Sequence, residues 1–165
     1  MHIIKYIAIA LWSLILMAMV LAVLRLHPFI RRKKEKDINV SEGIYATALL
    51  ISAALIMLQV VPNLGLAFDV LQKLSPQKFW ISFLETGSVM AVSALLIFLL
   101  TVVVARWLSV LVAGNRHPLI ELDADHRGYA LFRAGLLLGL TILVAGFSGA
   151  VFQLMVPEIE LPFYR

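Results

Sequence analysis

The sequence predicts an all-α integral membrane protein, a four-helix bundle made of two tandem two-helix repeats, and three observations carry that reading. Of 165 residues, 62% are hydrophobic and 15% charged, with a mean hydropathy of +0.96, against roughly half apolar and a quarter charged in a soluble domain. A soluble domain of this size leaves about a third of its surface in water, so this composition would coat it with exposed apolar patches. Second, the apolar residues gather into four windows long enough to cross a ~30 Å hydrocarbon core, which takes about 20 residues at 1.5 Å each. Third, Lys and Arg are divided unequally between the two sides that such spans define. Disorder is excluded by the same numbers, and the lack of Cys excludes a disulfide framework or a cysteine metal site.

The first span covers about 6–24 and stops at Arg25 and His27-Pro28. Its length exceeds the apolar region of a signal peptide and no small-x-small cleavage site precedes Arg25, so it is expected to stay in the mature chain. The second covers about 43–61 and is expected to stop at Pro62-Asn63. Beyond it, apolar residues at helical spacing from Leu64 to Leu74, broken by Ser75-Pro76, predict a short separate helix on the interface. The third span, about 87–105, ends at Arg106, and the fourth, about 134–156, at Pro157-Glu158. Phe79 and Trp80 before the third span, Trp107 after it, and Phe163 and Tyr164 beyond the fourth mark headgroup level. Residues 1–165 therefore read as one transmembrane domain with no separate soluble unit.

Orientation follows from the basic residues of short loops, which resist transfer across the bilayer. Of the 14 Lys and Arg, the segments 25–42 and 106–133 hold Arg25, Arg31, Arg32, Lys33, Lys34, Lys36, Arg106, Arg116, Arg127 and Arg133. Lys5, Lys73, Lys78 and Arg165 fall on the other side. The first and third connections are thus expected in the cytoplasm and both termini outside.

The chain also repeats itself. His27-Pro28-Phe29-Ile30 matches His117-Pro118-Leu119-Ile120, and Gly43-Ile44-Tyr45-Ala46 resembles Arg127-Gly128-Tyr129-Ala130. Repeats over about 6–62 and 80–156 would have the same topology, a parallel duplication about an axis along the membrane normal. This twice-repeated pattern, and most closely the stretch from Asp123 to Gly139, resembles the DUF350 family (UPF0719, the YjfL-like proteins). The family tends to have Asn and paired Ala near Glu42 and Tyr45, or His126 and Tyr129, and a Gly pair where the second span offers Ala48, Ser52 and Ala53. The resemblance implies a small four-span protein of the bacterial inner membrane, often encoded near envelope-stress or polyamine-related genes and so expected in membrane maintenance; with the basic-residue count it puts the N- and C-termini in the periplasm. It implies no catalytic residues.

Candidate functional residues are few. Arg31, Arg32, Lys33, Lys34 and Lys36 can hold anionic lipid headgroups or dock an acidic partner, and they also serve as a topology determinant. The second loop is acidic, with Glu121, Asp123 and Asp125 near His117 and His126; a divalent-cation site there competes with pairing to the basic loop or to Arg127. His27 and His117 could face each other across a bundle and ligate haem iron, against a simple turn role before Pro. Glu85 and Arg133 stand near span ends, where they are expected to snorkel to the interface. No ionisable residue lies mid-span, which argues against ion-coupled transport. Gly135 and Gly139, with Gly146 and Gly149, are expected to pack helices closely within the bundle, or between copies of the chain in a homo-oligomer.

No nucleophile–base pair, phosphate loop or carboxylate dyad appears, and the basic run lacks the aromatic interleaving of a nucleic-acid groove. The expectation is a non-enzymatic accessory or scaffold subunit without cofactor or metal, contacting membrane lipids and a protein partner. The alternatives are an oligomeric small channel or transporter, and a haem electron carrier through His27 and His117.

Overall fold

Helix dominates because a bilayer offers no water to backbone N–H and C=O groups, which must then be satisfied within each segment. The computed structural model describes residues 2–26, 39–114, 121–122 and 124–157. Four helices follow one another: α1, His2–Leu26; α2, Val40–Leu74; α3, Phe79–Ala113; and α4, Arg127–Leu154. Each is long and apolar enough to cross a membrane, and together they form an all-α four-helix bundle.

Pro62 does not end the second span. It sits inside α2, which continues for 35 residues and absorbs the segment expected to form a separate interfacial helix. A proline removes one backbone donor and crowds the preceding turn. Here Pro62 is exposed on the outer face of the helix. On the next residue Asn63 donates from Nδ2 to the Gln59 carbonyl at 2.8 Å, so its buried side chain finds a partner within the helix. Ser75 then caps the helix, its backbone N–H reaching the Leu71 carbonyl at 2.9 Å. α3 likewise has 35 residues, about 52 Å of helix, and so overruns the hydrocarbon core.

Residues 75–78 join α2 to α3, and at this hairpin end Phe68 lies edge-on to Phe79 and Phe83, with centroids at 4.8 and 5.3 Å. Lys5 of α1 meets Asp69 of α2 at the same end, Nζ to Oδ2 2.5 Å. Helices α2 and α4 run in the same direction and make the most intimate pair. The reason lies in side-chain size. The buried stripe of α4 includes Ala130, Ala134, Leu137, Thr141, Ala145, Ser148 and Phe152, spaced by three or four, and the buried residues of α2 include the small Ala48 and Ser52. Small side chains let the two backbones approach, which is where helix association in lipid gains its dispersion energy.

α3 packs against both members of that pair, whereas α1 lies along α2 and more lightly on α3, so the two hairpins are not equivalently placed. Trp12 anchors α1. It is buried, and a Cβ on Gly87 would stand only 2.7 Å from its Cε2 atom. Gly87 thus forms the floor on which the indole rests.

Candidate functional site

Opposite the hairpin end, α2 and α4 begin and α3 finishes, and ionisable side chains collect there. Asn39 opens α2 in extended conformation and its N–H donates to Glu42 Oε2 at 3.1 Å, which satisfies one of the donors every helix start leaves open. Ser41 donates twice to Asp125 Oδ1, from its backbone N–H at 3.0 Å and its hydroxyl at 2.8 Å. These bonds tie the segment before α4 to the first turn of α2. Asp125 sits in the left-handed region, φ 53°, which a short polar side chain tolerates. The donors from Ser41, with Arg127 Nε at 3.4 Å from Oδ2, hold the Asp125 carboxyl below the usual carboxylate range. Glu121 pairs with His126 on the same segment, and buried Leu122 pins it to the bundle.

One turn deeper, Arg133 is 7% exposed and its guanidinium lies 4.8 Å above the centroid of the buried Tyr45 ring. Its place in the first turns of α4 faces it toward α2, and the Tyr45 ring face holds the cation by its quadrupole. Glu85, by contrast, is exposed. Glu42 is buried at 2% exposure beside this group. The Arg127–Asp125 pairing was among the sequence expectations and is present. Asp125 and Glu121 are engaged in separate pairs, and among the described residues no three metal-ligating side chains converge.

The basic run Arg31, Arg32, Lys33, Lys34 and Lys36, the paired candidates His27 and His117, and Asp123 lie outside the described residues. The glycines of α4 are a correction of a different kind. Gly135, Gly139 and Gly146 are exposed, and a Cβ on any of them would meet no neighbouring atom within 4 Å. Only Gly149 touches another helix, its Cβ position standing 3.0 Å from Gln59 Oε1. Alanine, serine and threonine perform the close packing expected of the glycines. Sequence reasoning missed Ser41 and Tyr45 as parts of this end, because the partners that place them there, Asp125 and Arg133, lie more than 80 residues away in the chain.

Mid-bundle, a hollow of about 240 Å³ opens between α3 and α4. Its two hydroxyls are turned back on their own helices, Thr101 to the Ile97 carbonyl at 2.7 Å and Ser148 to the Ala145 carbonyl at 3.0 Å, so the wall it presents is apolar.

No family model, curated protein or solved structure matches the chain. Fold and composition define its class: a small multi-pass helical membrane protein.

Proposed function

We propose that this protein is a non-catalytic accessory or scaffold subunit of the bacterial inner membrane, with both termini periplasmic. Its charged face would engage anionic lipid headgroups and a protein partner. The observation that carries the reading is the gathering of Glu42, Arg106, Glu121, Asp125, His126, Arg127 and Arg133 at one end of a bundle whose middle is apolar. In sequence this is also where Arg31 to Lys36 connect α1 to α2. A basic surface beside a bilayer attracts anionic headgroups, and an ordered acidic segment next to it adds a surface a protein can read. Kinship with the DUF350 family and its envelope-stress or polyamine-linked setting belongs to this reading, supported by the His-Pro repeat and by α2 and α4 running parallel. Reversing Arg31, Arg32, Lys33 and Lys34 to Glu should release a co-purifying partner or anionic lipid while the bundle stays folded. Unchanged co-purification would overturn the proposal.

A second reading, an oligomeric small channel or transporter, is favoured by the outward-facing Gly135, Gly139 and Gly146, which leave α4 free to meet another copy. Ion flux from reconstituted protein supports it, and silent liposomes count against it.

A further inference from the structure

Several polar side chains along the spans satisfy themselves on their own helices. Thr101, Thr141 and Ser148 turn their hydroxyls back to carbonyls three or four residues earlier, and Asn63 donates to the Gln59 carbonyl. The Gln59 side chain differs. Among the described residues its carboxamide makes no hydrogen bond, and it stands only partly covered at the edge of the seam between α2 and α4, where a Cβ on Gly149 would lie 3.0 Å from its Oε1 atom. Gln153, one turn beyond Gly149 on the same face of α4, is exposed, and among the described residues its side chain makes no hydrogen bond either.

Depth makes the position of Gln59 costly. Asp69, paired with Lys5, is ten residues further along α2, ~15 Å of helix, and Glu42 is seventeen residues back, ~26 Å. A carboxamide half of a ~30 Å hydrocarbon core away from the nearest charged level meets lipid tails, which offer neither donors nor acceptors. Its side chain is too short to snorkel to either surface. Exposure to lipid therefore leaves it as unsatisfied as burial would.

What answers Gln59 must be protein, must lie at the same depth, and must offer an acceptor and a donor together, since the side chain carries a carbonyl oxygen and an NH₂ group. A second copy of this chain in the same orientation meets all three conditions. Its own Gln59 arrives at the same depth, and across a two-fold axis along the membrane normal each amide donates to the oxygen of the other. The approach is open: Gly146, on the face of α4 that carries Gly149 and Gln153, is exposed, and a Cβ there would meet nothing within 4 Å. A partner backbone can therefore come close enough for the amides to meet.

We propose that two copies of the chain pair through the α2–α4 seam, with Gln59 hydrogen-bonded to the partner's Gln59 and Gln153 at the outer rim of the contact. This rests on the oligomeric reading and names its contact, while saying nothing of flux.

The test uses the full chain in liposomes of phosphatidylcholine and phosphatidylglycerol, with pairing read as energy transfer between copies labelled at the C-terminus as the lipid-to-protein ratio is varied. Q59M keeps the length of the side chain and removes the amide. It should lower the pairing constant about tenfold, equivalent to ~1.4 kcal/mol, in the range that one or two hydrogen bonds between helices supply, and leave the unfolding temperature of the dilute monomer unchanged. If Q59M fails to fold, Q59A takes its place. Position is read by a short thiol cross-linker in the membranes of expressing cells, the chain having no other Cys. I142C, exposed on the Gly146 face, should join its counterpart, L96C, similarly exposed on α3, should not, and Q59M should lower the I142C yield. Pairing that depends on Gln59 in liposomes that pass no ions upholds the contact and removes the channel. Pairing that Q59M leaves unchanged, or that joins L96C as readily as I142C, overturns the proposal and leaves the oligomeric reading to another face. Chains that stay monomeric at every ratio overturn both.

Discussion

Replacing Gly87 by Ala tests how α1 is held. The added methyl would stand 2.7 Å from Trp12 Cε2, 2.8 Å from Cζ2 and 3.0 Å from Nε1, inside the distance at which carbon atoms repel. These are ring atoms, and a ring cannot yield by bending as the end of a flexible chain can. Either the indole rotates out of its site or α1 moves away. Overpacking of this kind costs about 1–3 kcal/mol, and α1 has little to resist it with, since it lies lightly on α3 and owes the rest to one face of α2. Lipid is as apolar as the bundle interior, so no hydrophobic force drives the displaced helix back. The docking equilibrium of α1 should therefore fall about fivefold to more than a hundredfold.

Two readouts follow. In a background where Trp80 and Trp107 are Phe, brominated lipids should quench Trp12 weakly in the parent and strongly in G87A. Because the chain has no Cys, a single pair at Ile9 and Gly65 reports the same helix contact, for Ile9 Cδ1 lies 3.7 Å from a Cβ at position 65. A short bifunctional reagent should join I9C to G65C efficiently, and the G87A substitution should lower the yield. Quenching and cross-linking identical to the parent would refute the argument that Trp12 on Gly87 seats α1.

Two other outcomes are expected. Gly135→Ala and Gly139→Ala meet open space, so monomer stability should stay level or rise by up to ~1 kcal/mol each from helix propensity. Loss of monomer stability in detergent would contradict the outward placement, and a lower dimer fraction would favour self-association through this face. Asp125 has a folded-state carboxyl pKa depressed by Ser41, so its stabilising link is complete above the ordinary carboxylate value near 3.9 and disappears as pH falls through the lower folded value. Hydrogen exchange at the Ser41 amide should show protection that persists into mild acid and then collapses. D125N, which tolerates the left-handed backbone, should weaken protection at neutral pH and remove the pH dependence; an unchanged profile would rule Asp125 out.

The spans were legible because length is a local property. The windows 6–24, 43–61 and 87–105 all lie inside helices, and the fourth differs from α4 mainly by starting later. Trp80 and Trp107 lie exposed at the two ends of α3, where the amphipathic rings were expected. Part of the charged end was legible too, in the expected Arg127 partnership of the acidic loop. The Ser41–Asp125 link was not, because it joins residues far apart in sequence through one carboxylate, and neither residue carries a local signal for the other.

By itself, then, the sequence determined that the chain is helical, how many times it can cross a bilayer, and at which end its basic residues accumulate. Hydrocarbon thickness and the need to satisfy every backbone donor leave no other solution for such apolar runs. Only the tertiary structure decided which side of each helix faces a neighbour. In water an apolar stripe against a polar face would reveal that side, but here apolar residues serve lipid and interior alike, and exposed Leu100 and buried Phe98 are equally suitable in sequence. Hence the outward Gly135 and Gly139, the inward Ala134 and Thr141, the continuation of α2 through Pro62 and the turn of Arg133 onto Tyr45 emerged from packing, where side-chain size and a single ring face settle what hydropathy leaves degenerate.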